Sequence, residues 1–147
     1  MPTSEQEWSY ENRIPSDSDH AHQVIEQLML AMEERDWPGR DMFHVQMALE
    51  EAIVNAIEHG NLRDLKKFVA IDFKLLTDRA VIVITDEGIG FDHENLADPT
   101  DDDRIDKPRG RGVHLIRNLM TDVLYNEKGN EVRMIKERSQ AEEKDAS

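Results

Sequence analysis

Glu51 and Asn55 stand four residues apart, a spacing that on a helix projects both side chains toward neighbouring points one turn apart along the axis. A carboxylate there can orient a hydroxyl or take its proton, and an amide oxygen is a neutral hard ligand suited to Mg²⁺. As a lone Glu-x-x-x-Asn, the pair equally describes an exposed helical face, and His59, one further turn on, equally describes a residue facing the C-terminal dipole. Asp86-Glu87-Gly88-Ile89-Gly90 sets an acid where the chain must turn. Such an acid can accept a hydrogen bond from the exocyclic amine of adenine, and glycines let backbone approach a flat ring closely. In isolation this is also a tight turn with a surface acid. Gly110-Arg111-Gly112 falls at the start of a helix, where free N–H groups and the positive dipole end attract phosphate oxygens. Arg109 and Arg111 add positive charge there, although a bare G-x-G is equally a hinge. The spacing matches neither G-x-x-x-x-G-K-[ST] nor a dinucleotide fingerprint preceded by a strand.

The helix that positions Glu51 and Asn55 is predicted to begin near Asp41 and to end at Gly60-Asn61, with Met42, Val45, Leu49, Ile53 and Ala56 as its core stripe. Advancing about 100° per residue gathers Ala48, Glu51, Asn55 and His59 on a second face, with Ala48 leaving room for a ligand. Before it, Val24, Ile25, Leu28, Met29 and Met32 recur at helical spacing, after candidate N-caps Ser16, Asp17 and Ser18 and ahead of the stop Trp37-Pro38-Gly39. Residues 7–14 alternate sparsely and end at Pro15, which suggests a first strand. Val69, Ile71 and Phe73 alternate, and residues 81–84 form a continuous apolar run with a β-branched bias, so a hairpin turning at residues 77–79 leads to the Asp86 turn.

Residues 93–108 are polar, with aspartates at 98, 101, 102, 103 and 106 and prolines at 99 and 108. A segment of that length inside a small domain reads as a functional loop or lid, or as a solvated insert. Val113, Leu115, Ile116, Leu119 and Met120 mark a third helix, and two strands, 122–125 and 131–135, follow around a turn at 127–130. Residues 137–147 are charged and lack apolar periodicity, the signature of a solvated tail. The expectation is one domain over 1–138, a disordered tail over 139–147, and a two-layer α/β (α+β) sandwich whose mixed sheet carries its helices on one face.

At 147 residues the chain fits one domain. Eighteen Lys and Arg against thirty-two Asp and Glu give a net charge of −14, which disfavours direct contact with nucleic acid or anionic membrane faces. Without cysteine there is no disulfide framework or thiolate metal site, as suits a reducing cytosol. Residues 1–10 lack an apolar run, and the longest apolar stretches fall far short of membrane-spanning length, so a soluble cytoplasmic protein is expected.

In this order and at these separations, A-L-E-E-A-I-V-N-A-I-E-H-G-N, T-D-E-G-I-G-F-D and G-R-G-V-H-L-I-R-N-L-M-T-D-V resemble the helix box and the two glycine boxes of the GHKL ATPases. The wording E-A-x-x-N-A-x-x-H-G is similar to that of the anti-sigma-factor serine kinases of bacterial partner switching. The resemblance spans residues 18–138 and implies a GHKL, or Bergerat, ATP-binding fold with a lid at 93–108. It implies that Glu51 serves phosphotransfer, Asn55 coordinates Mg²⁺ and Asp86 binds adenine. Gly88 and Gly90 would form the adenine-side turn, and Gly110 and Gly112 the phosphate-side turn, with Arg109, Arg111 and Val113 in the same nucleotide-binding run. ATP and Mg²⁺ follow as cofactors, an anti-anti-sigma protein of STAS type as phosphoacceptor and a sigma factor as the sequestered partner. A homodimer joined through the first helix or strand is also implied. Asn130 and Glu131 stand where the family often has threonines, and an acid aimed at phosphates would repel them. A non-catalytic ATP-sensing module is therefore the alternative. The catalytic fragment of a two-component histidine kinase is a third reading, disfavoured because no helix pair carries a phosphoacceptor histidine.

Overall fold

Alternation of apolar and polar residues builds the sheet of this computed structural model, which describes residues 7–88 and 108–140. The strands are β1 (Trp8–Pro15), β2 (Phe68–Leu75), β3 (Arg79–Thr85), β4 (Asp122–Tyr125) and β5 (Glu131–Glu137), in the order β1-β2-β3-β5-β4. Val69, Ile71, Phe73 and Leu75 of β2, Ala80, Ile82 and Ile84 of β3, and Val132 and Met134 of β5 all point to one face and are buried, as a period of two requires. Trp8 and Tyr10 of β1 stack with Phe73 at centroid distances of 6.5 and 5.8 Å.

Three helices cover that face: α1 (Ser18–Glu34), α2 (Gly39–Val54) and α3 (Pro108–Leu119). Val24, Leu28 and Met32 of α1, Val45, Leu49 and Ile53 of α2 and Ile116 of α3 join the sheet residues in one core. Each large side chain so buried contributes about 1.5–3 kcal/mol, and this seam holds the two layers together. Of the three candidate caps on α1, Asp17 is the one used: its backbone is extended and its carboxylate accepts from the His20 N–H at 3.0 Å. That bond, with a second to the His20 ring, holds the Asp17 carboxyl below its ordinary value. Ser16 is buried instead, and its hydroxyl donates to the carbonyl of Lys67 at 2.8 Å.

The sheet is antiparallel throughout, not mixed. Two connections explain the difference. The α1–α2 pair brings the chain back to the end it left, so Pro15 is paired with Phe68. The crossover through α3 does make β3 and β4 parallel, but β5 inserts between them and runs antiparallel to both, a split β-α-β arrangement.

The C-terminal charged segment begins attached, against the expectation of a solvated tail from residue 137. Glu137 belongs to β5. The Arg138 guanidinium donates to the carbonyls of Arg35 and Asp36 at 3.1 and 2.6 Å and lies 5.3 Å from the Trp37 ring centroid. Ser139 donates its N–H and its hydroxyl to the two carboxylate oxygens of Asp41, each at 2.8 Å. Composition could not reveal this, because the partner is 98 residues away. Of the acidic segment 93–108 read as a lid, Pro108 opens α3 and residues 93–107 lie outside the described residues, as do residues 141–147. Among the described residues no helix is long and apolar enough to cross a membrane.

Candidate active site

The helix bearing Glu51 is not a single α-helix. It passes at Asn55 into a π-helical segment, Asn55–Gly60; such wide turns are rare and concentrate at functional sites. Glu51, half-buried on the last α turns, meets α3 directly: a methyl group added at Gly112 would lie 2.3 Å from Glu51 Oε2 and 2.9 Å from its Cγ and Cδ. Gly112 sits inside the first turns of α3 rather than ahead of it, because the helix already starts at Pro108, a residue suited to a first helical position. The contact sets the carboxylate beside α3 four residues past its start, one turn from the positive end of the helix.

Asn55 is 6% exposed, and its Oδ1 has no hydrogen-bond partner among the described residues. Leaving such an acceptor buried and unsatisfied costs about 1–3 kcal/mol. It borders a cleft with Ala52, Ala56, Asp86, Tyr125 and Asn130, whose enclosed volume of about 20 Å³ is room for about one water. Ala48, expected to leave space for a ligand, is wholly enclosed in the core; Ala52 and Ala56 are the small residues that line the cleft. No cluster of three His, Asp or Glu able to hold a metal exists among the described residues. A neutral, orphaned amide oxygen does fit Mg²⁺, which keeps most of its waters and takes one or two protein ligands beside phosphates.

Asp86, 5% exposed, directly follows β3 and accepts the Gly88 N–H on Oδ1 at 2.7 Å. A methyl group on Gly60 would lie 2.4 Å from the Asp86 carboxylate, and one on Gly88 would lie 2.2 Å from the Gly60 carbonyl oxygen. The end of the π segment and the Asp86 turn therefore lie against each other with no side chain between. On the other flank Asp86 N–H donates to the Asn130 carbonyl at 2.9 Å, and Asn130 Nδ2 donates to the Asp86 carbonyl at 2.8 Å. Asn126 shapes that corner by accepting the N–H groups of Gly129, Asn130 and Glu131 at 2.7, 3.1 and 3.2 Å, with Gly129 at φ 86°.

Sequence reasoning missed Gly60 and Asn126 as parts of this site, and read Asn130 only as a departure from the family's threonines, not as a residue that pairs with Asp86. The signal available was N-E-K-G-N, since asparagine side chains hydrogen-bond the backbone of their own turn and glycine supplies the positive φ. Glu131, singled out as a possible source of repulsion, pairs across strands with Thr85, whose hydroxyl donates to its carboxylate at 2.9 Å. Both alternate with the buried Ile84 and Val132, so this acid belongs to the sheet face away from the helices. Asp86, Gly88, Glu51, Asn55 and Gly112 are thus gathered along one side of the α2–π helix. Val113 is fully buried. Arg109, Gly110 and Arg111 fall in the first turn of α3, with their side chains outside the described set, and Gly90 lies outside the described residues.

The profile of a family described as histidine kinase-like ATPase domain matches residues 14–136. A serine-protein kinase RsbW of Bacillus cereus (strain AH187) is 33% identical, over 65% of this chain and 64% of its own. A serine-protein kinase RsbW of Staphylococcus epidermidis is 35% identical, over 65% of each chain. The chain thus spans just under two thirds of the length of these relatives. A crystal structure of the RsbU and RsbW domains of a Mycobacterium tuberculosis protein has a similar fold, with a TM-score of 0.58 at 16% identity, covering 89% of this chain and 32% of that one.

Proposed function

The chain belongs to the histidine kinase-like ATPase domain family, and on that premise we propose that it is an Mg-ATP-dependent protein-serine/threonine kinase acting as an anti-sigma factor. Its phosphoacceptor is an anti-anti-sigma protein of STAS type, and its sequestered partner is a sigma factor, in the bacterial cytoplasm and in a homodimer. The observation that carries the reading is the meeting of Glu51 with α3 at Gly112, four residues past the start of that helix, with the orphaned Oδ1 of Asn55 one turn further along the helix that bears Glu51.

Phosphoryl transfer asks for positioning and charge neutralisation more than for reactive side chains. Asp86 accepts the exocyclic amine of adenine, and the free amides of α3 receive phosphate oxygens. Asn55 Oδ1 holds Mg²⁺, which supplies neutralisation of the phosphate charge when bound. Glu51 orients the acceptor hydroxyl and takes its proton as the hydroxyl oxygen bonds to the γ-phosphorus. The bond from that phosphorus to the bridging oxygen breaks, and ADP leaves with the electron pair.

Mg-ATP should raise the melting temperature of the wild-type chain, by the equivalent of about 2.7 kcal/mol at roughly a hundred times the dissociation constant. Asn55→Ala should lose that shift while its ligand-free melting temperature does not fall, because the substitution removes an acceptor that already lacks a partner. A drop in the ligand-free value with the Mg-ATP shift intact would sink the metal role. Phosphoserine or phosphothreonine on the STAS-type partner after incubation with Mg-ATP tests the kinase half, and its absence sends the reading to an ATP-sensing module without transfer. The Thr85–Glu131 bond supports transfer over that alternative, whose motive was an acid turned toward phosphate.

A further inference from the structure

Asn61 is 0% exposed and follows directly on the π-helical segment. Its Nδ2 donates to Ser16 Oγ and to the Phe68 carbonyl, each at 3.0 Å, and its Oδ1 accepts the Glu87 N–H at 2.8 Å. Its backbone N–H donates to Ala56 O at 2.8 Å, closing the π segment. One buried side chain thereby ties the β1–α1 junction and the start of β2 to the turn that follows β3.

Glu87 is the middle residue of that turn. Its N–H goes to Asn61, the Gly88 N–H goes to Asp86 Oδ1, and the Asp86 N–H goes to the Asn130 carbonyl. All three amides are committed, and the turn is clamped from the helix side by Asn61 and from the β5 side by Asn130. We propose that Asn61 is a positioning residue that sets the base selectivity of the site by fixing the turn from which the Asp86 carboxylate is aimed. This rests on the nucleotide reading above and goes beyond it. Adenine presents an amine donor where guanine presents a carbonyl, so a carboxylate held in place accepts from the first and repels the second. Released from Asn61, the turn can withdraw the carboxylate, and the penalty against guanine falls.

A buried asparagine that merely joins strands would give a different pattern, and Ser16→Ala separates the two. It removes the hydroxyl to which Asn61 Nδ2 donates, loosening the same junction while leaving the Glu87 N–H bond intact. The experiment measures ATP and GTP affinity and the melting temperature of the full chain as wild type, Asn61→Ala and Ser16→Ala. The wild type should prefer ATP. Asn61→Ala should lose about tenfold or more of that preference, roughly 1.4 kcal/mol, whereas Ser16→Ala should lose stability and keep it. Unchanged selectivity in Asn61→Ala, or an equal loss in Ser16→Ala, overturns the proposal. Should Asn61→Ala not fold, Asn61→Ser, whose shorter side chain falls short of the Glu87 amide, is read in the same way at lower temperature. A wild type that binds both nucleotides equally defeats the selectivity role alone; one that binds neither defeats the nucleotide reading as well.

Discussion

Gly112 has no side chain because Glu51 fills the space a methyl group would take. The obstructing atoms are the end of a flexible side chain, so Gly112→Ala should be accommodated by Glu51 swinging aside. Alanine is about 1 kcal/mol better than glycine within a helix, so the variant should melt no lower than wild type while phosphotransfer falls at least about tenfold. Calorimetry together with a transfer assay checks this, and a coupled loss of stability and activity would show that the glycine serves packing alone. Gly88 is the contrasting case, since its clash is with the Gly60 carbonyl, a backbone atom that cannot rotate away. The placement of Glu51 and Asn55 on one helical face and of Asp86 just past a strand was legible in spacing and periodicity, whereas the roles proposed for them came with the family resemblance. The Gly60–Asp86–Gly88 packing was not legible, because a close approach of two backbones leaves no mark except the glycines themselves, and Gly60 reads equally well as a helix stop.

The helices and strands emerged from periodicity with their ends shifted by a residue or two. The passage from α2 to the π segment did not, because a single wide turn barely disturbs the apolar period of Ile53, Ala56 and Ile57. The place of β5 between β3 and β4 was equally hidden, since strand order in a split crossover is set by nonlocal pairing. The junction between α2 and β5 carries a pH dependence of its own. Lys136 of β5 donates to His44 Nδ1 of α2 and to the Leu119 carbonyl, both at 2.9 Å. Burial first, then the charges of Lys136 and Arg40, hold the His44 ring below the ordinary imidazole value near 6.5, against an opposing pull from Asp41. Below pH 6.5 the unfolded chain therefore binds more protons than the folded one, and stability should fall as pH drops through that region. His44→Gln keeps an acceptor for Lys136 and removes the titration. Its urea midpoint should vary less than that of wild type between about pH 6.5 and 5; an identical pH profile would place the acid sensitivity elsewhere.

The molecule as a whole carries a net charge of −14, and among the described residues helices cover one face of its sheet only. Its class of fold followed from the sequence of elements, but the way its C-terminal strand is fastened did not. Asp41 is 1% exposed, and the charge of a carboxylate so deeply enclosed is tolerable only where donors meet it. Both of its oxygens receive Ser139, one residue past the Arg138 that grips the α1–α2 corner. A fragment ending at residue 138 should therefore melt several degrees below one ending at residue 140, and Asp41→Asn should narrow that gap; equal melting temperatures would show that Ser139 contributes nothing. Laboratory handling inherits this dependence. An affinity handle or reporter joined straight after Arg138 would yield a protein that is frail for reasons unrelated to its chemistry, whereas joining it beyond Gln140 leaves the clasp on Asp41 closed.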